Sequence, residues 1–162
     1  MMRLLMVCTG NICRSPTAEG VVRKLIAEAG LSGEIEIDSA GLYSGHGGSR
    51  PDIRARMVAE QNGYDISELR SRPLKPEDYG DFDLILGMDK GHISEMREEC
   101  PLPLIDKIRL YLDFTPEMVG QEVPDPYTGD ADDFTLAFEL IEQGAEGLVD
   151  QIIEQKPYLA YR

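Results

Sequence analysis

Apolar residues follow two rhythms along this chain. Leu4 to Cys8 is an unbroken apolar run bounded by turn residues, the pattern of a strand buried on both faces. From Ser15 to Ala29 the spacing shifts to three and four, placing Ala18, Val22, Leu25, Ile26 and Ala29 on one helical face. Pro16 suits the first helical position and Gly30 the stop. Glu34 to Ser39 predicts a second strand, and Pro51 to Asn62 a helix closed by Gly63. Residues 82–89 predict a third strand, followed by a short helix from Asp89 to Glu98. The stretch PLPLID, residues 101–106, predicts a short fourth strand. Asp132 to Gln155 carries Phe134, Phe138, Ile141, Ala145, Leu148 and Ile152 at helical spacing, a long amphipathic helix weakened by Gly144 and Gly147. Strands alternating with helices imply an α/β fold, a parallel sheet with helices on both faces. Ligands of such sheets sit beyond the carboxyl ends of the strands, where Cys8, Ser39 and Met88-Asp89 fall.

Composition narrows the reading. The 162 residues suit one domain, 1–162, with one core that needs neither disulfide nor metal to fold. A net charge of −14 argues against nucleic acid and anionic membrane surfaces as partners. No apolar run is long enough to span a membrane, and the first residues lack a signal-peptide pattern, so the cytoplasm is the expected location. Cys8, Cys13 and Cys100 are an odd number and form no secretory framework; reduced thiols are expected.

The stretch CTGNICRS, between the first strand and the first helix, has the pattern C-x5-R-S. The amides of such a loop can curl around one centre, and the helix adds its unpaired N–H groups and positive dipole end. The result is an anion site suited to phosphate. Gly10 permits close backbone approach and unusual angles, and Asn11 tolerates the left-handed region. Arg14 supplies a planar fork for two phosphate oxygens. The same field stabilises a thiolate at Cys8, a nucleophile for attack on phosphorus, and Ser15 is placed to hydrogen-bond to it. Taken alone, Cys8 would read as a buried cysteine ending a strand; the full pattern favours phosphate chemistry.

Expulsion of an alkoxide or phenoxide calls for a proton donor. His46, in a glycine-rich loop, and His92, on a short polar helix, both read as solvated side chains. Asp125 lies between two prolines that stiffen its loop, and a phosphate dianion beside it favours its protonated form. Tyr127 could wall the entrance and stack on an aromatic leaving group. Asp130, Asp132 and Asp133 read as a solvated loop capping the last helix. Metal-ligand spacing is absent, so neither calcium nor zinc is expected.

VCTGNICRSPTAEG near the start, DSAG after the second strand, ILGMD after the third and VPDPYTG late in the chain resemble the low-molecular-weight protein tyrosine phosphatases. The resemblance spans about residues 3 to 155 and implies a single three-layer domain with a four-stranded parallel sheet. It also implies a cofactor-free, two-step hydrolysis of phosphotyrosine and small aryl phosphates through a phosphocysteine. On this resemblance Cys8 is the nucleophile. The loop Thr9, Gly10, Asn11, Ile12, Cys13, Arg14 and Ser15 binds the phosphoryl group or another oxyanion. Asn11 holds the loop with Ser39 as partner, Ser15 tunes the thiolate, and Asp125 is the acid, then the base. Cys13 matches a second loop cysteine able to form a reversible disulfide with the nucleophile; packing alone is the competing role. Two departures bear on the substrate walls. Gly45 falls where the family often has a bulky residue, with Tyr43 or His46 as substitutes, and Tyr127 is followed by Thr128 rather than a second tyrosine.

Two rivals share the loop. A thioredoxin-linked arsenate reductase would need two further cysteines, and only Cys100 remains, beside Pro101 and expected to pack on the sheet. A non-catalytic phosphotyrosine-binding module predicts loss of nucleophile or acid, and both are present.

Overall fold

A computed structural model of the chain describes residues 1–43, 45 and 47–155. Four strands, β1 (Met2–Cys8), β2 (Ile35–Gly41), β3 (Leu84–Gly87) and β4 (Ile108–Leu110), form one sheet in the order β2-β1-β3-β4, every pair parallel. Between them run α1 (Arg14–Glu28), α2 (Ile53–Gln61), the single turn α3 (Asp78–Asp81) and α4 (Lys90–Glu99). The last helix among the described residues is α5 (Ala131–Glu154).

The central strand explains the layers. Leu4, Met6 and Cys8 of β1 face a core built with α1, α2 and α5, whereas Leu5 and Val7 face a second core with Tyr79, Phe82, Ile93 and Met96 from the α3 and α4 side. A strand covered on both faces has no polar alternation, hence its continuous apolar run. Cys100 lies in the second core, as its expected packing on the sheet requires. The helix ends follow their residues: Gly30 and Gly63 take positive φ values of 75° and 88° just past α1 and α2. Asp130 caps α5 in a reciprocal pair with Asp133.

Three expectations need correction. Residues 101–106 are not a strand: Leu102–Lys107 is a 3-10 helix, and β4 is the three residues after it. Pro101 and Pro103 fix φ and remove two ladder donors, so the stretch cannot pair along a sheet. Pro16 sits third in α1 rather than first, where its missing N–H is still no loss. Gly144 and Gly147 are less flaws in α5 than clearances. A Cβ at Gly144 would lie 2.6 Å from the Tyr111 ring, and one at Gly147 would overlap Thr115. Tyr111 is wholly buried, and its hydroxyl donates to the Ile141 carbonyl at 2.7 Å.

Register sets the site. Cys8 pairs with Gly41 and Val7 with Gly87, so the carboxyl ends of three strands finish together. β2 and β3 flank β1 on opposite sides, which makes the end of β1 the point where the connections diverge.

Candidate active site

Residues 9–13 turn the chain between β1 and α1. Asn11 closes the turn with φ 55°, the one non-glycine residue with positive φ among those described. Its short polar side chain tolerates that conformation. Gly10, expected to take the unusual angle, has no positive φ. The crowding falls instead on Gly41 beneath the loop, where a Cβ would lie 2.9 Å from the Asn11 nitrogen and 3.0 Å from the Thr9 carbonyl oxygen. The loop's carbonyls are occupied from outside. Leu42 N–H donates to Cys8 O at 3.0 Å, Tyr43 N–H to Thr9 O at 2.7 Å and Asp52 N–H to Ile12 O at 2.7 Å. Among the described residues, no backbone carbonyl accepts from the amides of residues 9–13, which leaves those donors for an anion.

The hydrogens around the Cys8 sulfur can be assigned one by one. Asn11 Oδ1 accepts from Arg72 N–H at 3.0 Å, which fixes the amide's orientation. Its two Nδ2 hydrogens go to Ser15 Oγ at 2.7 Å and Ser39 Oγ at 2.9 Å. Ser39 in turn donates to Glu19 Oε1 at 2.6 Å. Ser15 Oγ, already accepting from Asn11, keeps its own hydrogen for Cys8 Sγ, 3.0 Å away. The Ser15 backbone N–H points at the same sulfur at 3.4 Å. Two donors from the first turn of α1 therefore converge on Sγ. Burial pushes the Glu19 carboxyl above its ordinary value, opposed by its bonds from Ser39 and Arg23. Burial, then Asp52 and Cys8 itself, pushes the Cys13 thiol far up, so Cys13 is a protonated neighbour. All three cysteines are free and buried.

Arg14 is 3% exposed and must find its partners inside. Nη1 donates to Asp89 Oδ2 at 2.8 Å and to the Val123 carbonyl at 2.9 Å. Asp89, the N-cap of α4, feels burial raising its carboxyl, but the bonds from Arg14 and the His92 backbone outweigh that and hold it below the usual value. With Nη1 pinned, Nη2 faces the Thr9 hydroxyl at 3.4 Å and the Asp125 carboxylate at 3.6 Å, the side from which an oxyanion oxygen can reach it.

Asp125 is half-exposed, its Oδ2 3.6 Å from Arg14 Nη2, its Oδ1 accepting from Tyr127 N–H at 3.1 Å. Val123 N–H, bound to Met88 O at 2.9 Å, ties this loop to the end of β3. A cleft of about 180 Å³ opens over the loop, lined by Cys8, Thr9, Gly10, Ile12, Cys13, Arg14, Tyr43, Asp125 and Tyr127. Gly45 lies against the Tyr43 ring, where any side chain would collide with it. Arg54 donates to the Tyr127 carbonyl at 3.0 Å and lies over that ring at 5.6 Å. His46 lies outside the described residues.

Most of the expected residues thus meet at one place, together with four the sequence reading missed. Glu19 is one helical turn beyond Ser15, and its signal is a carboxylate on a face bound for the core. Asp89 stood at a strand end without a role. The Val123 carbonyl and the Arg72 amide are backbone groups and leave no residue-type signal. His92 is the clearest correction: it is 4% exposed rather than solvated, because as the third residue of α4 it folds back onto its own cap and under the loop.

Residues 3–158 match the family model for low molecular weight phosphotyrosine protein phosphatase. The low molecular weight protein-tyrosine-phosphatase YfkJ of Bacillus subtilis is 36% identical over 157 residues, covering 96% of this chain and 99% of that protein. The crystal structure of a protein tyrosine phosphatase from Entamoeba histolytica, with Hepes in its active site, superposes with a TM-score of 0.91 at 38% identity, covering 96% of this chain and 99% of that one. Vibrio vulnificus Wzb in complex with benzylphosphonate gives a TM-score of 0.82 at 31% identity, covering 93% of this chain and 98% of that one.

Proposed function

The chain belongs to the low molecular weight phosphotyrosine protein phosphatase family and is a protein-tyrosine phosphatase, and from that premise we propose how its own residues carry the reaction. The phosphoryl dianion docks on the loop amides of residues 9–13 and on Arg14 Nη2. The Cys8 thiolate attacks phosphorus; the S–P bond forms as the P–O bond to the phenol breaks, and Asp125 gives its proton to the departing oxygen. In the second step Asp125 takes a proton from water, the water oxygen attacks phosphorus, and the sulfur leaves toward the Ser15 hydrogen. Nothing in this sequence of steps calls for a cofactor.

One observation carries the reading: a sulfur that receives both Ser15 hydrogens shares one small cleft with a buried guanidinium and a carboxyl 3.6 Å from it. The walls Tyr43, Ile12 and Tyr127 suit an aromatic ring, so phosphotyrosine in proteins and small aryl phosphates are the proposed substrates. The benzylphosphonate complex of Wzb, an aromatic ring joined to an oxyanion, supports that choice. Cys100 sits in the other core from Cys8 and Cys13, which weighs against electron transfer to arsenate. Residues 1–162 act as one phosphatase domain, and a thiolate nucleophile suits the reducing cytoplasm. Cys13 is a redox partner in this reading: peroxide oxidises Cys8 to the sulfenic acid, then the Cys13 sulfur attacks it and water leaves.

Replacing Cys8 by Ser abolishes aryl phosphate hydrolysis. Asp125→Ala slows it by about 10²–10⁴-fold and leaves inhibition by inorganic phosphate largely intact. Near-normal turnover of the Cys8→Ser variant, or arsenate reduction outpacing hydrolysis in the unaltered protein, sinks the mechanism.

A further inference from the structure

His92 has no part in the chemistry above, yet its ring is buried against Arg14 and Thr9. The Asp89 backbone N–H lies 3.2 Å from its Nδ1, and that N–H can only donate. Nδ1 therefore carries a lone pair, and the neutral ring holds its hydrogen on Nε2. Burial agrees, lowering His92 to about 4 against the pull of Asp89. The Nε2 hydrogen has Thr9 Oγ1 at 3.0 Å as acceptor. Arg14 Nη2, 3.4 Å from Nε2, is also only a donor, so these two nitrogens cannot bond to each other. Both converge on Thr9 Oγ1, Arg14 Nη2 at 3.4 Å. A hydroxyl oxygen that accepts twice has filled both lone pairs and must donate its hydrogen elsewhere. Thr9 is exposed and lines the cleft beside Asp125, so that hydrogen is available to a group bound in the cleft.

We propose that Thr9 binds a phosphoryl oxygen through its side-chain hydroxyl, and that His92 is the positioning residue that orients this hydroxyl. This inference rests on the phosphatase reading of the cleft. It adds one side-chain donor to the backbone amides and ties the α4 cap to the anion site. The relay also keeps Arg14 Nη2 on the substrate side, since Thr9 is the acceptor that shares it.

Inorganic phosphate is the probe, used as an inhibitor of aryl phosphate hydrolysis and as a ligand in titration calorimetry. Thr9→Val removes the hydroxyl at constant shape and weakens phosphate binding by roughly ten-fold, the loss of one hydrogen bond to a charged group. Thr9→Ser recovers most of it. His92→Asn keeps the acceptor for the Asp89 amide but has no donor at the Nε2 position; His92→Gln carries a donor there. The Asn variant loses phosphate affinity while its melting temperature holds, and the Gln variant regains affinity. In a Thr9→Val background, His92→Asn has no further effect. Equal phosphate affinity in the unaltered and Thr9→Val proteins overturns the relay alone, as do fully additive effects of the two substitutions. If the unaltered protein binds no phosphate, the phosphatase reading itself falls.

Discussion

Buried polar side chains around the loop form closed sets of donors and acceptors, and this closure carries a measurable pH dependence at His92. An unfolded chain protonates this histidine below about 6.5, whereas the folded chain resists until about 4. Between those values the unfolded state binds the extra proton, so stability falls as pH falls, by about 1.4 kcal/mol per pH unit from this group. Asp89, Glu122 and Asp125 pull the ring toward protonation and Arg14 opposes it, but burial is the larger effect. Urea denaturation of the unaltered protein and His92→Asn at pH 7 and pH 5 reads the difference, and the variant lacks this part of the loss. An unchanged slope would place the ring in water. The residue scale also marks how far the sequence could be read. Cys8, Arg14 and Asp125 stood out because few residue types can do their chemistry and their neighbours fix the geometry. Glu19 and His92 did not, because a polar residue in the first turns of a helix looks the same whether it faces solvent or folds back under a strand end.

At the scale of elements, β1, α1, β2 and α5 were legible to within two residues, because each repeats one period over several turns or pairs. β4 and α3 were not. A three-residue strand and a single helical turn hold too few positions to show a period, and they exist because β3 and the second core supply partners for them. The glycines of α5 show a local preference yielding to packing. Gly144→Ala should gain about 1 kcal/mol of helix propensity. It should lose about 1–3 kcal/mol to overpacking against Tyr111, whose hydroxyl bond fixes its ring. The expected net result is a lower melting temperature by calorimetry, with a rise contradicting the close fit of α5 on that ring.

For the whole molecule, a net charge of −14 works against a dianionic substrate even though the cleft itself attracts it. Salt screens the distant surface carboxylates more than the buried Arg14. With a small aryl phosphate, kcat/KM is expected to rise roughly two-fold as sodium chloride goes from low to physiological ionic strength. A phosphoprotein with a basic surface should show the opposite trend. A fall with the small substrate would mean that the mouth of the cleft, not the rest of the surface, dominates the field.

The Arg14 guanidinium is held by a carbonyl from residue 123, and the proposed acid lies just beyond, so the first and last thirds of the polypeptide complete one another. During synthesis Cys8 and Arg14 emerge early, while the Val123 carbonyl that holds the guanidinium and the Asp125 carboxyl are still unmade. A nascent chain therefore cannot assemble the cleft until residue 125 has left the ribosome, and a stop codon before residue 123 leaves the buried guanidinium without its carbonyl partner.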